Sequence, residues 1–225
     1  MEDFSVVIIA RNEEKVLPRL LKSVEEVKDI VVLDTGSTDH TAVIAKSLEA
    51  RVIEVGDKFI ETPTPTDILQ FKLRYGFAPT FTTESKLFNY SAARNYAMSL
   101  AENDFCFQPD ADEVVEWDIN AVRELLPTCD QLSYRFAFSH NEDGTPSLEF
   151  THCKFFRQSV AHWVKKVHEV VTARDDVLER ENLNRRIYTD KMYLHHWQQP
   201  SENRSNMLPK LEYAILEKEN DDRNT

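Results

Sequence analysis

Apolar residues follow two patterns along the chain. Short, nearly continuous runs, Phe4 to Ala10 (FSVVIIA), Ile30 to Leu33 and the aromatic stretch starting at Phe105, read as strands buried on both faces. Between them the apolar positions recur at helical spacing. Val16, Leu17, Leu20, Leu21 and Val24 predict an amphipathic helix over Glu13 to Val27, with Pro18 near its start. A second helix is expected over Thr41 to Leu48, a third strand over Arg51 to Val55, and a further helix over Tyr90 to Leu100. This alternation calls for an open parallel α/β sheet with right-handed crossovers.

From Asp57 to Lys86 the pattern dissolves into proline, threonine and unphased aromatics, the signature of an inserted excursion or lid, bounded at about 57–88. After a short helix near Ile119 to Leu126, four segments show the polar alternation of half-buried strands: Gln131 to Phe138, Leu148 to Phe156, Val164 to Thr172 and Tyr188 to Trp197. The second half is therefore expected to be mixed or antiparallel. Met207, Leu208, Leu211, Ala214 and Ile215 mark one face of a last helix, placed at about 201–219 and followed by a frayed tail at 220–225. No repeat or linker interrupts residues 1–220, so one domain is expected.

Polar groups gather where the strands stop. The first run ends at Arg11, Asn12 and Glu13; the second ends at Asp34, followed by TGSTD with Asp39; the aromatic run ends at Asp110, Asp112 and Glu113. In open α/β sheets that edge is where ligands bind. Asp110 and Asp112 are two apart, so in extended chain both carboxylates face one way, and like charges so placed resist ionising unless a cation sits between them. Hard oxygen ligands suit Mg²⁺ or Mn²⁺. The blander readings are an acidic loop capping the next helix for DADE, turn and cap residues for Asp34 and Asp39, and surface or core histidines for His195 and His196. Glu169 could equally be half of a surface ion pair with Lys165 or Lys166.

Composition narrows the choices. The net charge of −12 runs against a nucleic-acid binder and means that an anionic substrate must be drawn in by local groups or a metal. Only 4 glycines are present, which leaves no dinucleotide fingerprint and no phosphate loop. Cys106, Cys129 and Cys153 show no CxxC spacing and read as reduced thiols of a cytoplasmic protein. No apolar run approaches the roughly 20 residues of a membrane span, and MEDFSVVIIARNEE does not read as a secretion signal.

VVIIARNEEKVLPRLLKSV, IVVLDTGSTDHT, NYSAARNYAMSLA, DADE and WVKKVHE, taken together and in this order, resemble the family 2 glycosyltransferases of the GT-A type. The resemblance implies a GT-A-like open mixed sheet, with a Rossmann-like nucleotide-binding half and a more antiparallel acceptor half. It implies an inverting transfer of a sugar from a nucleotide-sugar donor, with UDP the expected nucleotide, to a hydroxyl of a glycan, lipid-linked, protein or modified-base acceptor. Ala10, Arg11, Asn12 and Glu13 would line the nucleotide pocket, Asp34 would meet the base, and Asp39 would hold that loop. Arg94 would lie near the diphosphate, and Asp110 would contact the ribose or the metal through water. Asp112 would bind the metal directly, joined by His196 or, less favourably, His195, and Glu169 would be the general base. Two alternatives stay open. DADEV also fits the nucleophile segment of haloacid-dehalogenase-like phosphatases, with Asp175 and Asp176 as a later acidic pair, and a catalytically silent relative would hold a nucleotide without turning it over.

Overall fold

The structure is a computed structural model that describes residues 2–167, 169–175, 185–197 and 207–221. Asp176, residues 201–206 of the expected last helix and 222–225 of the tail lie outside the described residues. Two compact units divide the chain. The larger comprises Met1–Gly56, Arg94–His162 and Val171–Gln199; the smaller comprises Asp57–Ala93, Trp163–Val170 and Pro200–Thr225.

The larger unit is built on β1 (Ser5–Ala10), β2 (Asp29–Asp34) and β3 (Arg51–Glu54), parallel neighbours joined through α1 (Leu17–Ser23) and α2 (Thr41–Ser47). The first two are the β-branched runs of the sequence, and the inside of β1 and the whole of β2 are buried, as strands covered on both faces must be. Helix α1 is shorter than its apolar spacing suggests. Pro18 sits in its first turn, where a missing N–H costs nothing, and Glu13 to Val16 form the turn leading into it.

On the other side β1 pairs in parallel with β6 (Phe105–Phe107), and the sheet then continues with antiparallel and parallel neighbours. These are β9 (Pro146–Arg157), β8 (Gln131–His140), β12 (Arg186–His196) and the edge strand β7 (Glu113–Trp117). The eight-stranded order is β3-β2-β1-β6-β9-β8-β12-β7. The mixed second half expected from polar alternation is present, with β6–β9, β8–β9 and β7–β12 antiparallel and β8–β12 parallel. Aromatics fill the core at the junction of the halves: Phe155 packs at a tilt against Phe4 at 4.8 Å and Phe107 at 5.5 Å, and Phe107 meets Tyr134 edge-on. Helix α5 (Ile119–Leu125), capped by Asp118 accepting from the Ala121 N–H, follows β7.

Two expectations need correction. The segment read as one strand over Val164 to Thr172 is two, β10 (Ala161–Val164) and β11 (Val170–Ala173), because Lys165 adopts a left-handed φ of 69° that no continuous strand accommodates. The stretch read as aperiodic contains helix α3 (Pro65–Tyr75). Its start is a complete capping box: Thr64 accepts from the Asp67 N–H and Asp67 accepts from the Thr64 N–H at 2.7 Å, with Pro65 in the first turn.

In the smaller unit α3 lies, along the chain, between the two strands of a short antiparallel pair, β4 (Ile60–Glu61) and β5 (Leu87–Phe88), and the start of α4 (Tyr90–Met98) follows. Phe71 of α3, Phe81, and Tyr213 and Leu216 of α6 (Met207–Asp221) form its core, with Phe71–Phe81 at 5.5 Å and Phe81–Tyr213 at 5.4 Å. Among the described residues no helix is long and apolar enough to cross a membrane.

Candidate active site

The loops after β1 and β2 are sewn together by side chains named in the sequence. Asn12 takes a left-handed φ of 59°, which asparagine tolerates better than most residues. Its N–H donates to Ser37 Oγ at 2.9 Å and its Oδ1 accepts from the Thr38 N–H at 2.8 Å. The Glu13 N–H donates to Thr41 Oγ1 at 2.7 Å. Asp39 Oδ1 accepts from both the N–H and the hydroxyl of Thr41, and its Oδ2 accepts from the Glu14 N–H. Partial burial works against the Asp39 charge, but the Thr41 and Glu14 hydrogen bonds outweigh it and hold the carboxyl below its usual range. Arg11 stands exposed at the loop surface, and the Ala10 carbonyl anchors Thr35 through its N–H and hydroxyl.

Asp34 closes β2 with its Oδ1 accepting from the N–H groups of Gly36 and Ser37, both at 2.8 Å. Gly36 allows this turn with φ 97°, and an added Cβ would meet the Gly56 backbone at 3.4 Å. The other oxygen, Asp34 Oδ2, is buried and has no hydrogen-bond partner among the described residues. A buried carboxylate oxygen left so is costly, and it is where a ligand N–H would be satisfied.

At the end of β6, Asp110 is gripped by two buried cations. Arg94 Nη2 on α4 donates to Oδ1 at 2.5 Å and Lys154 Nζ on β9 donates to Oδ2 at 2.5 Å. Although desolvation opposes it, the Lys154 and Arg94 charges hold Asp110 far below the usual carboxylate range. Lys154 also bridges to Glu113 at 2.9 Å, and Glu113 Oε2 accepts from the Asp110 N–H. The cation expected between crowded carboxylates is thus supplied for Asp110 and Glu113 by protein side chains.

Asp112 lies differently. The antiparallel register places His196 opposite Glu113, and the Trp197 N–H donates to the Asp112 carbonyl at 3.0 Å. His196 Nε2 then sits 3.1 Å from Asp112 Oδ2, while its Nδ1 lies 3.1 Å from the Phe138 carbonyl, which can only accept. That contact places a proton on Nδ1, the kind of second contact that orients metal-binding histidines, and the hydrogen bond to Asp112 places another on Nε2, at the position a cation shared with Asp112 would take. The hydrogen bond to Asp112 raises His196 above its ordinary value. His195, the preceding residue of β12, points to the opposite face, with Nδ1 3.0 Å from His140 Nε2.

Glu13 reports how these groups converge. Burial, then the charges of Asp112, Asp39 and Asp110, push its carboxyl up to about 7. The ends of β1, β2 and β6 therefore share one negative field, the electrostatic setting for a cation. Among the described residues no cluster of three or more metal-ligating side chains forms. Asp112 and His196 offer two, which fits a cation that takes its remaining ligands from water and substrate phosphates, and one imidazole beside one carboxylate suits Mn²⁺ better than Mg²⁺. Glu169 belongs to the smaller unit, half-buried in the residue before β11. Sequence reasoning missed Lys154. Its signal was a lone lysine inside the apolar run of β9, a position that has to find an acid.

The model of the family described as Glycosyl transferase family 2 matches residues 5–59, the β1 to β3 segment that carries Asn12, Glu13, Asp34 and Asp39. A TPR repeat-containing protein of Synechococcus elongatus is 29% identical over 83% of this chain and 40% of its own length. A lipopolysaccharide core biosynthesis glycosyltransferase of Rhizobium meliloti, LpsC, is 30% identical over 55% of this chain and 35% of its own. The chain thus spans two fifths or less of the length of these two curated relatives. Among solved structures, residues 1–349 of TarS from S. aureus superpose with a TM-score of 0.51 at 16% identity, covering 85% of this chain and 60% of that one. At that identity the likeness shows the fold alone. The β1 to β3 segment is thus similar to glycosyltransferase family 2, and the fold is similar to that of TarS.

Proposed function

We propose that the chain transfers a sugar from a nucleoside-diphosphate donor, UDP being the expected nucleotide, to an acceptor hydroxyl with inversion, aided by Mn²⁺ or Mg²⁺ at Asp112 and His196. The observation that carries the reading is the Asp112–His196 pair at the sheet edge, with Nδ1 tied to a carbonyl and Nε2 turned toward the carboxylate. The bound cation would neutralise charge on the departing diphosphate. Asp34 Oδ2 is suited to accept an N–H of the base, and the Asn12 and Glu13 loop forms the pocket wall with Ala10 and Arg11. Arg94 and Lys154 hold Asp110 in place, ionised, for a ribose hydroxyl or a metal-bound water.

Glu169, assigned from the WVKKVHE resemblance, takes the acceptor proton as the oxygen bonds to the anomeric carbon and the bond to the diphosphate breaks. Base catalysis of this kind contributes about 100- to 10,000-fold in rate. Support from relatives is of two kinds: TarS from S. aureus has been crystallised with UDP-GlcNAc, and LpsC is named for lipopolysaccharide core biosynthesis. The first supports a UDP-sugar donor and the second a glycan acceptor. The phosphatase alternative requires Asp110 as a free nucleophile, whereas both its oxygens are engaged by cations.

The test is melting temperature in the presence of uridine or guanosine diphosphate with and without Mn²⁺. Metal-dependent stabilisation by one of them is expected, and its loss in Asp112→Ala and His196→Ala. Absence of stabilisation by any nucleoside diphosphate in the wild-type protein would overturn the reading. Transfer abolished in Glu169→Gln with nucleotide binding retained is the expected mark of the base.

A further inference from the structure

Two phenylalanines lie open to solvent toward the hairpin end of β8 and β9, on the sheet face that carries His196. Phe138 on β8 is 41% exposed and Phe150 on β9 is 45% exposed, and their rings lie 6.2 Å apart. Beneath them Phe136 is buried, 5.2 Å from Phe150 and 6.3 Å from Phe138. Phe138 also lies 5.3 Å from the His196 ring, and Phe136 5.1 Å from His152. The aromatic layer therefore runs without a break from the Asp112–His196 pair out to the strand surface. Cross-strand phenylalanines can be mere packing, yet packing hides rings, and these two present faces to water.

From this layer we infer an acceptor subsite, in which Phe138 and Phe150 stack on the apolar face of a neutral pyranose ring whose hydroxyl is delivered toward Asp112 and His196. This rests on the transferase reading above. An aromatic face carries negative partial charge and attracts the positive C–H groups of a sugar ring. His152, at the border of the layer 5.1 Å from Phe136, supplies polar atoms for the hydroxyl rim, an alternation of flat apolar and polar groups that matches a sugar ring and interrupts the continuous groove a hydrocarbon chain needs. Burial, then the Lys154 charge, lowers His152 to about 4, so it meets the rim as a neutral imidazole able both to donate and to accept. Charge argues for a neutral occupant as well. Lys154 is committed to Asp110 and Glu113, and the protein as a whole carries −12, which repels an anionic acceptor.

The experiment uses the full chain and a panel of methyl pyranosides of gluco, galacto, manno and N-acetylglucosamine configuration, followed by saturation-transfer NMR. Transfer to axial ring protons of at least one member is expected, weakened about tenfold in apparent affinity by Phe150→Ala, in line with the worth of an aromatic contact, and kept by Phe150→Trp. A melting temperature close to wild type in Phe150→Ala would show that the loss is not unfolding. No transfer to any member, or undiminished transfer in Phe150→Ala, would overturn the inference. So would Phe150-dependent sedimentation with phosphatidylcholine vesicles in the absence of pyranoside binding, which would assign the layer to a lipid. Uridine or guanosine diphosphate with Mn²⁺ is measured on the same Phe150→Ala sample. Stabilisation there alongside a failed panel removes the subsite and leaves the transferase reading intact, whereas pyranoside binding without stabilisation in the wild type does the reverse.

Discussion

Lys154 shows how much one side chain can carry. It is 6% exposed and bonded to two carboxylates, one of them, Glu113, 1% exposed. Removing one member of a buried charge group leaves the others uncompensated, at a cost of about 3–5 kcal/mol. Lys154→Met is expected to lower the free energy of urea unfolding by that amount, and a change within about 0.5 kcal/mol, typical of surface substitutions, would refute the account. Glu13 behaves oppositely. Its carboxyl is raised to about 7 by burial and three neighbouring acids, against about 4.3 in the unfolded chain. The folded state thus holds the proton more tightly, and stability is lost as pH rises from about 4 to about 7. Glu13→Gln removes the titration, so its melting temperature should exceed wild type by a few degrees at pH 8, and the gain should shrink as pH falls toward 4. An equal difference at both pH values would count against the shared field. Asp34, Asp39, Asp110 and Asp112 could be picked out beforehand because acids at strand ends stand out in one dimension. The grip of Lys154 on Asp110 could not, because 44 residues separate them and only the β6–β9 pairing brings them together.

Among the elements, buried parallel strands were the most legible, since β-branched runs leave little alternative, and β1 and β2 lie within a residue of their apolar limits. Edge strand β7 went unread, because EVVEW is short, half acidic and adjoins an acidic loop, so its period is lost. Helix α3 was hidden by prolines that look like loop punctuation but mark a helix start when one of them falls in the first turn. Thr64→Ala should lower the stability of the protein by about 1 kcal/mol, the usual worth of such a cap, with most of it recovered in Thr64→Ser. Chemical denaturation of the three proteins tests this, and a Thr64→Ser as weak as Thr64→Ala would argue that the methyl group rather than the hydroxyl matters.

For the molecule as a whole, the distribution of charge matters more than its sum. An excess of 12 negative charges repels a diphosphate at long range, and screening by salt weakens that repulsion without touching contacts at the sheet edge. Part of the acidity that looked like an obstacle to binding an anion, Glu13 with Asp39, Asp110 and Asp112, gathers where a divalent ion would reverse it. Because Lys154 and Arg94 already balance Asp110, the polypeptide carries its own permanent counterions and needs no metal to hold its shape. Chelator-treated protein should therefore keep its circular dichroism spectrum and a cooperative melt, unlike a zinc finger, which collapses when stripped. On the proposed reading, a divalent ion would be a visitor that arrives and departs with the nucleotide, and any hard cation able to share one imidazole and one carboxylate could serve.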